Sequence, residues 1–210
     1  TTNANLTGVV TSVGNATAIA DAALSIAKTS GLQTALDAKA PLASPTFTGT
    51  VVLPTTTIGG VATLSEGASI ALDPSLSADG TWSGITMTAT AGYTQAFGDL
   101  VYLDPTDSRW EAVDANSASG ADGDARGMLG MVVVAGTDGT ACTILLQGII
   151  RADAKFATFT INNPIYASET AGLITQTQPT TTDVVIRVIG FAITADEIYF
   201  NPSPTYITHT

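Results

Sequence analysis

One histidine, one cysteine and 18 carboxylates are the groups with which this 210-residue chain could do chemistry. Nucleophilic catalysis by serine or cysteine needs a histidine within reach to take the proton. The one histidine, His209, stands next to the last residue, where chains fray, so no triad is expected. Cys142 is followed by Thr-Ile-Leu-Leu, the setting of a small buried strand residue rather than a reactive thiol. Paired carboxylates could support glycoside hydrolysis, and Asp196-Glu197 or Asp104 with Asp107 are the sets to consider. Acidic residues in Asp-Pro and Asp-Gly turns, however, usually bond their own backbone. Asp122-Gly-Asp124, near Asp114, lacks the alternating ligand order and terminal glutamate of a calcium loop. No phosphate loop, zinc spacing or dinucleotide fingerprint occurs. The expectation is a protein that is not an enzyme and has neither cofactor nor metal.

Recognition is the chemistry that remains. Trp82, Trp110, Tyr93, Tyr199 and Tyr206 carry rings that are apolar on the face and polar at the tip, suited to stacking on sugars. Of these, Trp110, Tyr199 and Tyr206 are the candidate contacts to a receptor glycan or protein.

The elements that would position them are strands. Leu100–Leu103 and Arg109–Val113 flank an Asp-Pro turn. A Ser/Gly/Asp-rich loop over 114–127 follows, then Met128–Ala135, a hairpin signal at Thr137-Asp-Gly-Thr140, and Ala141–Arg151. A second cycle repeats the order: Pro164–Ala167 matches Leu100–Leu103, and Gly172–Thr175 matches the Trp110 strand. Val184–Ala192 matches the Met128 strand, and Asp196–Phe200 matches Cys142–Leu146. A duplicated strand set suits a closed or sandwiched module that hides its edges. Upstream, Ala68–Leu72 and Ile85–Thr90 read as strands, with Asp73-Pro-Ser and Ala78–Gly84 as turns. The Pro-punctuated tail over 201–210 reads as extended chain lying along a neighbouring subunit.

Charge narrows the partners. Charged residues are 12% of the chain, about half the usual share, and the net charge is −11. Asp21, Lys28, Asp37 and Lys39 cancel within the first sixty residues. The remaining 16 of the 18 acidic residues face five basic ones, Arg109, Arg126, Arg151, Lys155 and Arg187. Such a surface repels phosphates and anionic lipid, so no nucleic-acid partner is expected. No apolar run approaches the 18 residues of a membrane span, and no membrane insertion is expected.

The N-terminal part has different logic. Ile19, Ala22, Ala23 and Ile26 share one face, giving a short helix over 19–28. Ser30 and Gln33 stand in capping-box spacing, and Leu32, Ala35, Leu36 and Lys39 continue as a narrow stripe over 31–40. Pro41 ends that helix. About ten residues is below the roughly 12–15 at which an isolated helix is even marginal, so the stripe must be buried, most simply against copies of itself. After Pro41 the chain becomes Thr-rich and β-branched, as strands are. Leu36-Asp-Ala-Lys-Ala-Pro-Leu-Ala-Ser-Pro-Thr-Phe-Thr-Gly49 closely resembles a segment recurring in bacteriophage tail-fibre and related virion-fibre proteins. Asn5–Ile19 is similar to shaft sequence of the same proteins.

The resemblance implies a virion protein, assembled in the host cytoplasm, that forms a homotrimer and contacts other virion structural proteins. The C-terminal strand order more loosely resembles small β-barrels of phage decoration and fibre-tip proteins. The expected fold is mainly β. Residues 1–60 form a trimeric shaft with short α-helices, 61–96 a connecting β region, and 97–210 a duplicated antiparallel β-barrel or sandwich. Ile26, Leu32, Leu36, Leu42, Phe47 and Val51 are the expected axis residues. A tail fibre presenting its β-rich head to the host is the reading. A capsid decoration or head-fibre protein and a polysaccharide-degrading tailspike are the alternatives.

Overall fold

The computed structural model describes residues 10–13, 16–19, 31, 34, 59, 61–118, 121–156 and 158–210. Two compact units divide between Leu64 and Ser65. In the first, β1 (Val10–Val13) and β2 (Ala16–Ile19) pair antiparallel, with Val10 opposite Ile19 and Val13 opposite Ala16. Ile19 therefore closes a strand and does not open the helix expected over 19–28. Gly31 lies in a turn, and Thr34 is helical and exposed. The rest of both expected helices lies outside the described residues, as do the axis candidates Ile26, Leu32, Leu36, Leu42, Phe47 and Val51.

The second unit is mainly β, with a curled antiparallel sheet forming a half-barrel. Its first strands are β3 (Thr81–Thr90), β4 (Leu100–Leu103), β5 (Trp110–Ala112), β6 (Leu129–Val134) and β7 (Ala141–Arg151). β8 (Pro164–Ala167), β9 (Ile174–Thr175), β10 (Val185–Ile186), β11 (Val188–Ala192), β12 (Glu197–Phe200) and β13 (Ile207–Thr208) follow. The sheet runs β5-β4-β6-β7-β12-β11-β8-β9, with β3 also on β7. Matching β4 with β8, β5 with β9, β6 with β11 and β7 with β12 makes this order a palindrome about the β7–β12 junction.

β7 is the shared spine. β3 pairs along it from Ala141 to Arg151. β6 pairs with its residues 143–145 and β12 with residues 148–151, so the two share its other edge. Leu146 is an extra residue on β7 where the β3 register slips between Ile85 and Thr86, a bulge that bends and twists a ribbon.

Strand alternation sorts side chains to two faces. Leu100, Tyr102, Met131, Val133 and Leu145 enter the main core, together with Ile150, Ile165, Ile189, Ile198 and Phe200 from the second half. Val101, Val132, Cys142, Ile144 and Trp110 turn the other way into a smaller core capped by Ala91. Burial on both faces is why β6 reads as an unbroken apolar run.

The sheet is curled rather than closed by a ladder: among the described residues no strand pairing joins β5 to β9. Single backbone bonds stitch its ends instead. Gly172 N–H donates to Val113 O and Ala115 N–H to Ser168 O, each at 2.8 Å, while Leu100 N–H donates to Gly172 O at 2.9 Å.

Three further expectations change. Ala68–Leu72 makes no strand; it runs exposed apart from the half-buried Leu72. The turn expected over 78–84 is confined to its start, and Thr81–Gly84 belong to β3. The C-terminal tail, expected along a neighbouring subunit, pairs within its own chain: Ile207 lies opposite Ile186 and Thr208 opposite Val185.

Candidate functional site

Three of the four acidic residues that suggested catalysis, Asp104, Asp107 and Asp196, bond within their own turns. Asp104 Oδ1 accepts the Thr106 N–H at 2.6 Å, and Oδ2 accepts the Tyr102 hydroxyl at 3.2 Å. The Thr106 N–H holds the Asp104 carboxyl below the usual range, while burial pushes the Tyr102 phenol up to about 12. Asp107 accepts the Arg109 N–H at 3.0 Å and lies 3.4 Å from its guanidinium. Asp196 accepts the Thr194 hydroxyl at 2.9 Å, and Glu197 is buried beside it in β12.

The same holds for the loop over 114–127. Asp114 caps the Asn116 N–H at 2.9 Å, and Asp124 caps the Arg126 N–H at 3.0 Å and meets its guanidinium at 2.9 Å. Among the described residues no three His, Cys, Asp or Glu side chains are grouped to hold a metal ion. Cys142 is buried in β7, and that burial pushes its thiol up, away from the thiolate that reacts. Among the described residues no helix is long and apolar enough to cross a membrane.

The aromatic candidates separate cleanly. Trp110 is 1% exposed and fills the smaller core, so it is not a receptor contact. The reason is its register: it opposes Leu103 on β4 and faces the side of the sheet that the loop after β3 covers. Gln95 in that loop donates to the Trp110 carbonyl at 3.1 Å and accepts the Gly136 N–H at 3.4 Å. Tyr93 is half-buried, its hydroxyl bound to Asp99 at 2.7 Å. Trp82 is partly exposed on β3.

Tyr199 and Tyr206 do reach the surface, in two separate depressions. Tyr199 accepts the Gln147 amide at 2.8 Å and lines a shallow apolar hollow of about 230 Å³ with Ile70, Leu72 and Ile85. Tyr206, 42% exposed, lines a groove of about 300 Å³ with Tyr166, Gln178, Ser203 and Thr205. The Arg126 guanidinium sits 5.8 Å from the Tyr206 ring centroid, a distance at which a cation is drawn to the ring face. Gln178 also borders a neighbouring hollow walled by Ser168, Thr175, Thr177 and Thr180. Two tyrosine rings flanked by hydroxyl and amide groups, with one cation held on a ring, form a surface fit for a polyhydroxylated ligand.

Sequence reasoning missed Tyr166, Gln178 and Thr205. The signal was the run Thr175-Gln-Thr-Gln-Pro-Thr-Thr-Thr182, too rich in hydroxyl and amide groups to be core. That Gln178 of this run lines one groove with the tail is a tertiary fact. No protein-family profile, curated protein or solved structure matches the chain.

Proposed function

We propose that this chain is a structural fibre protein of a bacteriophage virion, a homotrimer whose shaft spans residues 1–60 and whose acidic β-rich head attaches to the host surface. The observation that carries the reading is the Ser30–Gly49 stretch, with its short capped stripe, proline stop and Thr-rich continuation. A stripe that narrow has too little apolar surface to fold alone, so folding and assembly are coupled. Two features of the head support it. β3 is a ten-residue strand without a charged residue, and its one strand partner among the described residues is β7. A long uncharged edge invites pairing with another chain, and in a chain of net charge −11 it is where sister copies repel least. The groove at Tyr206 supplies a surface for a glycan.

The test has two arms. Sedimentation analysis of the full chain gives a trimer, and Leu36→Asp abolishes it; a folded monomer for the parent protein refutes the assembly claim. Fluorescently labelled protein adsorbs to some members of a bacterial panel, and Tyr206→Ala weakens that adsorption. A trimer that adsorbs to none refutes host attachment and favours a capsid decoration role.

A further inference from the structure

A lysine and an aspartate more than fifty residues apart in sequence meet in a nearly dry site. Lys155 Nζ lies directly against Asp99 Oδ1, with the two side chains 19% and 10% exposed. Asp99 ends the loop before β4, and Lys155 lies in the turn after β7. The other carboxylate oxygen, Oδ2, accepts the Tyr93 hydroxyl and the Ala96 N–H, each at 2.7 Å. The walls are close and small. A Cβ on Gly98 would stand 3.3 Å from both Lys155 Cδ and Ala152 Cβ and 3.6 Å from a Phe156 ring carbon. One on Gly172 would stand 3.4 Å from Asp99 Oδ1.

An ammonium and a carboxylate in such a place are not at their ease. Removing both from water is costly, and burial pushes the Lys155 ammonium down, toward the neutral amine. Burial also pushes the Tyr93 phenol up, which keeps its proton on the hydroxyl and its hydrogen bond on Oδ2. Holding an amine against a carboxyl group replaces a bimolecular encounter by one with an effective molarity of up to roughly 10⁵–10⁸ M. Exclusion of water disfavours the reverse hydrolysis.

We propose that Lys155 and Asp99 join in an intramolecular amide, a covalent strut between the loop before β4 and the turn after β7. The Lys155 amine attacks Asp99 Cγ, forming the C–N bond. The C–Oδ2 bond breaks, with the Tyr93 hydroxyl stabilising the departing oxygen. Two of the three ammonium protons leave with that oxygen as water, and one stays on the amide nitrogen. No electron is transferred and no co-reactant is needed, and loss of one positive and one negative charge leaves the net charge unchanged.

Intact-mass spectrometry of the denatured full chain tests this. The expected mass is about 18 Da below that of the sequence, the mass of one water, and digestion yields a branched peptide joining Asp99 to Lys155. Lys155→Arg keeps the ion pair but cannot form this amide, so its mass returns to the full sequence value. Asp99→Asn releases ammonia instead of water and loses about 17 Da. A parent chain at full mass overturns the proposal. So does an 18 Da loss without the branched peptide, since an Asp-Gly step such as Asp138-Gly139 could lose water by itself. The mass of the parent chain decides the matter even if a variant fails to fold.

Discussion

Gly84 and Gly148 face each other across the β3–β7 ladder, and a Cβ on Gly84 would lie 2.7 Å from the Gly148 Cα. A Cβ on Gly148 would meet the Ser83 carbonyl and the Gly84 Cα, which are backbone and cannot swing aside. The pair sits where β7 exchanges β6 for β12 along its other edge. Gly148→Ala is therefore expected to destabilise the head by about 2–3 kcal/mol, as overpacking does. Gly127→Ala, where a new Cβ meets nothing within 4 Å, should change stability by less than about 0.5 kcal/mol. Urea unfolding of both variants makes the comparison.

Trp110 and Tyr206 should behave as opposites. Trp110→Ala empties a fully buried site and should cost about 3–5 kcal/mol. Tyr206→Ala removes an exposed ring and its contact with Arg126, worth less than about 1 kcal/mol. Thermal unfolding reads the first difference. Adsorption to bacteria reads the second, and should fall only for Tyr206→Ala among variants that remain folded.

Arg187 is buried, and its guanidinium donates to three carbonyls: Ser203 at 2.8 Å, Ala125 at 2.8 Å and Gly127 at 2.6 Å. It thereby ties the tail to the loop before β6. Truncation to alanine leaves three acceptors to find new donors and should cost about 2–4 kcal/mol. Lysine, with a compact ammonium in place of the fork, should restore only part of this. Faster digestion of residues 201–210 by carboxypeptidase is the accompanying sign.

Acid should loosen the loop over 176–182 before the sheet. Glu169 accepts the Thr181 hydroxyl at 2.5 Å, with the Thr180 and Thr181 N–H groups at 3.1 and 3.3 Å, and these bonds hold its carboxyl below the usual value of 4.5. A carboxylate with a lowered folded pKa binds fewer protons folded than unfolded. Its contribution is complete above 4.5 and is lost as pH falls through the lowered value. Glu169→Gln should flatten the acid side of the melting-temperature profile; an unchanged slope would remove Glu169 from the account.

Much of the head was legible in the sequence, for a physical reason. Leu100–Leu103, Ala141–Arg151 and Pro164–Ala167 match strands residue for residue, because apolar β-branched runs bounded by turn residues leave few other options. The hairpin at Thr137–Thr140 follows from Asp-Gly, with Gly139 at φ 74°. β3 was only half visible: Ser83 and Gly84 are poor strand formers, and pairing with a strand some sixty residues away overrides them. The reverse holds for Ala68–Leu72, whose largely apolar run has no partner strand among the described residues. Trp110 was misjudged as a surface residue because sequence cannot say which face of a sheet a distant loop will cover. The Tyr206 groove was legible only in its tyrosine, since the tertiary fold alone brings Tyr166 and Gln178 beside it.

The palindromic strand order has a consequence for biosynthesis. As the nascent chain leaves the ribosome, β3 must wait for β7, and the spine's far half must wait for β12 near the end of the sequence. At the rate of ordinary translation, roughly 5–20 residues per second, that is several seconds of unpaired, uncharged β edge. Such a head completes only after nearly all of it has been made, so its yield should depend on holding sister chains apart until Phe200 has emerged.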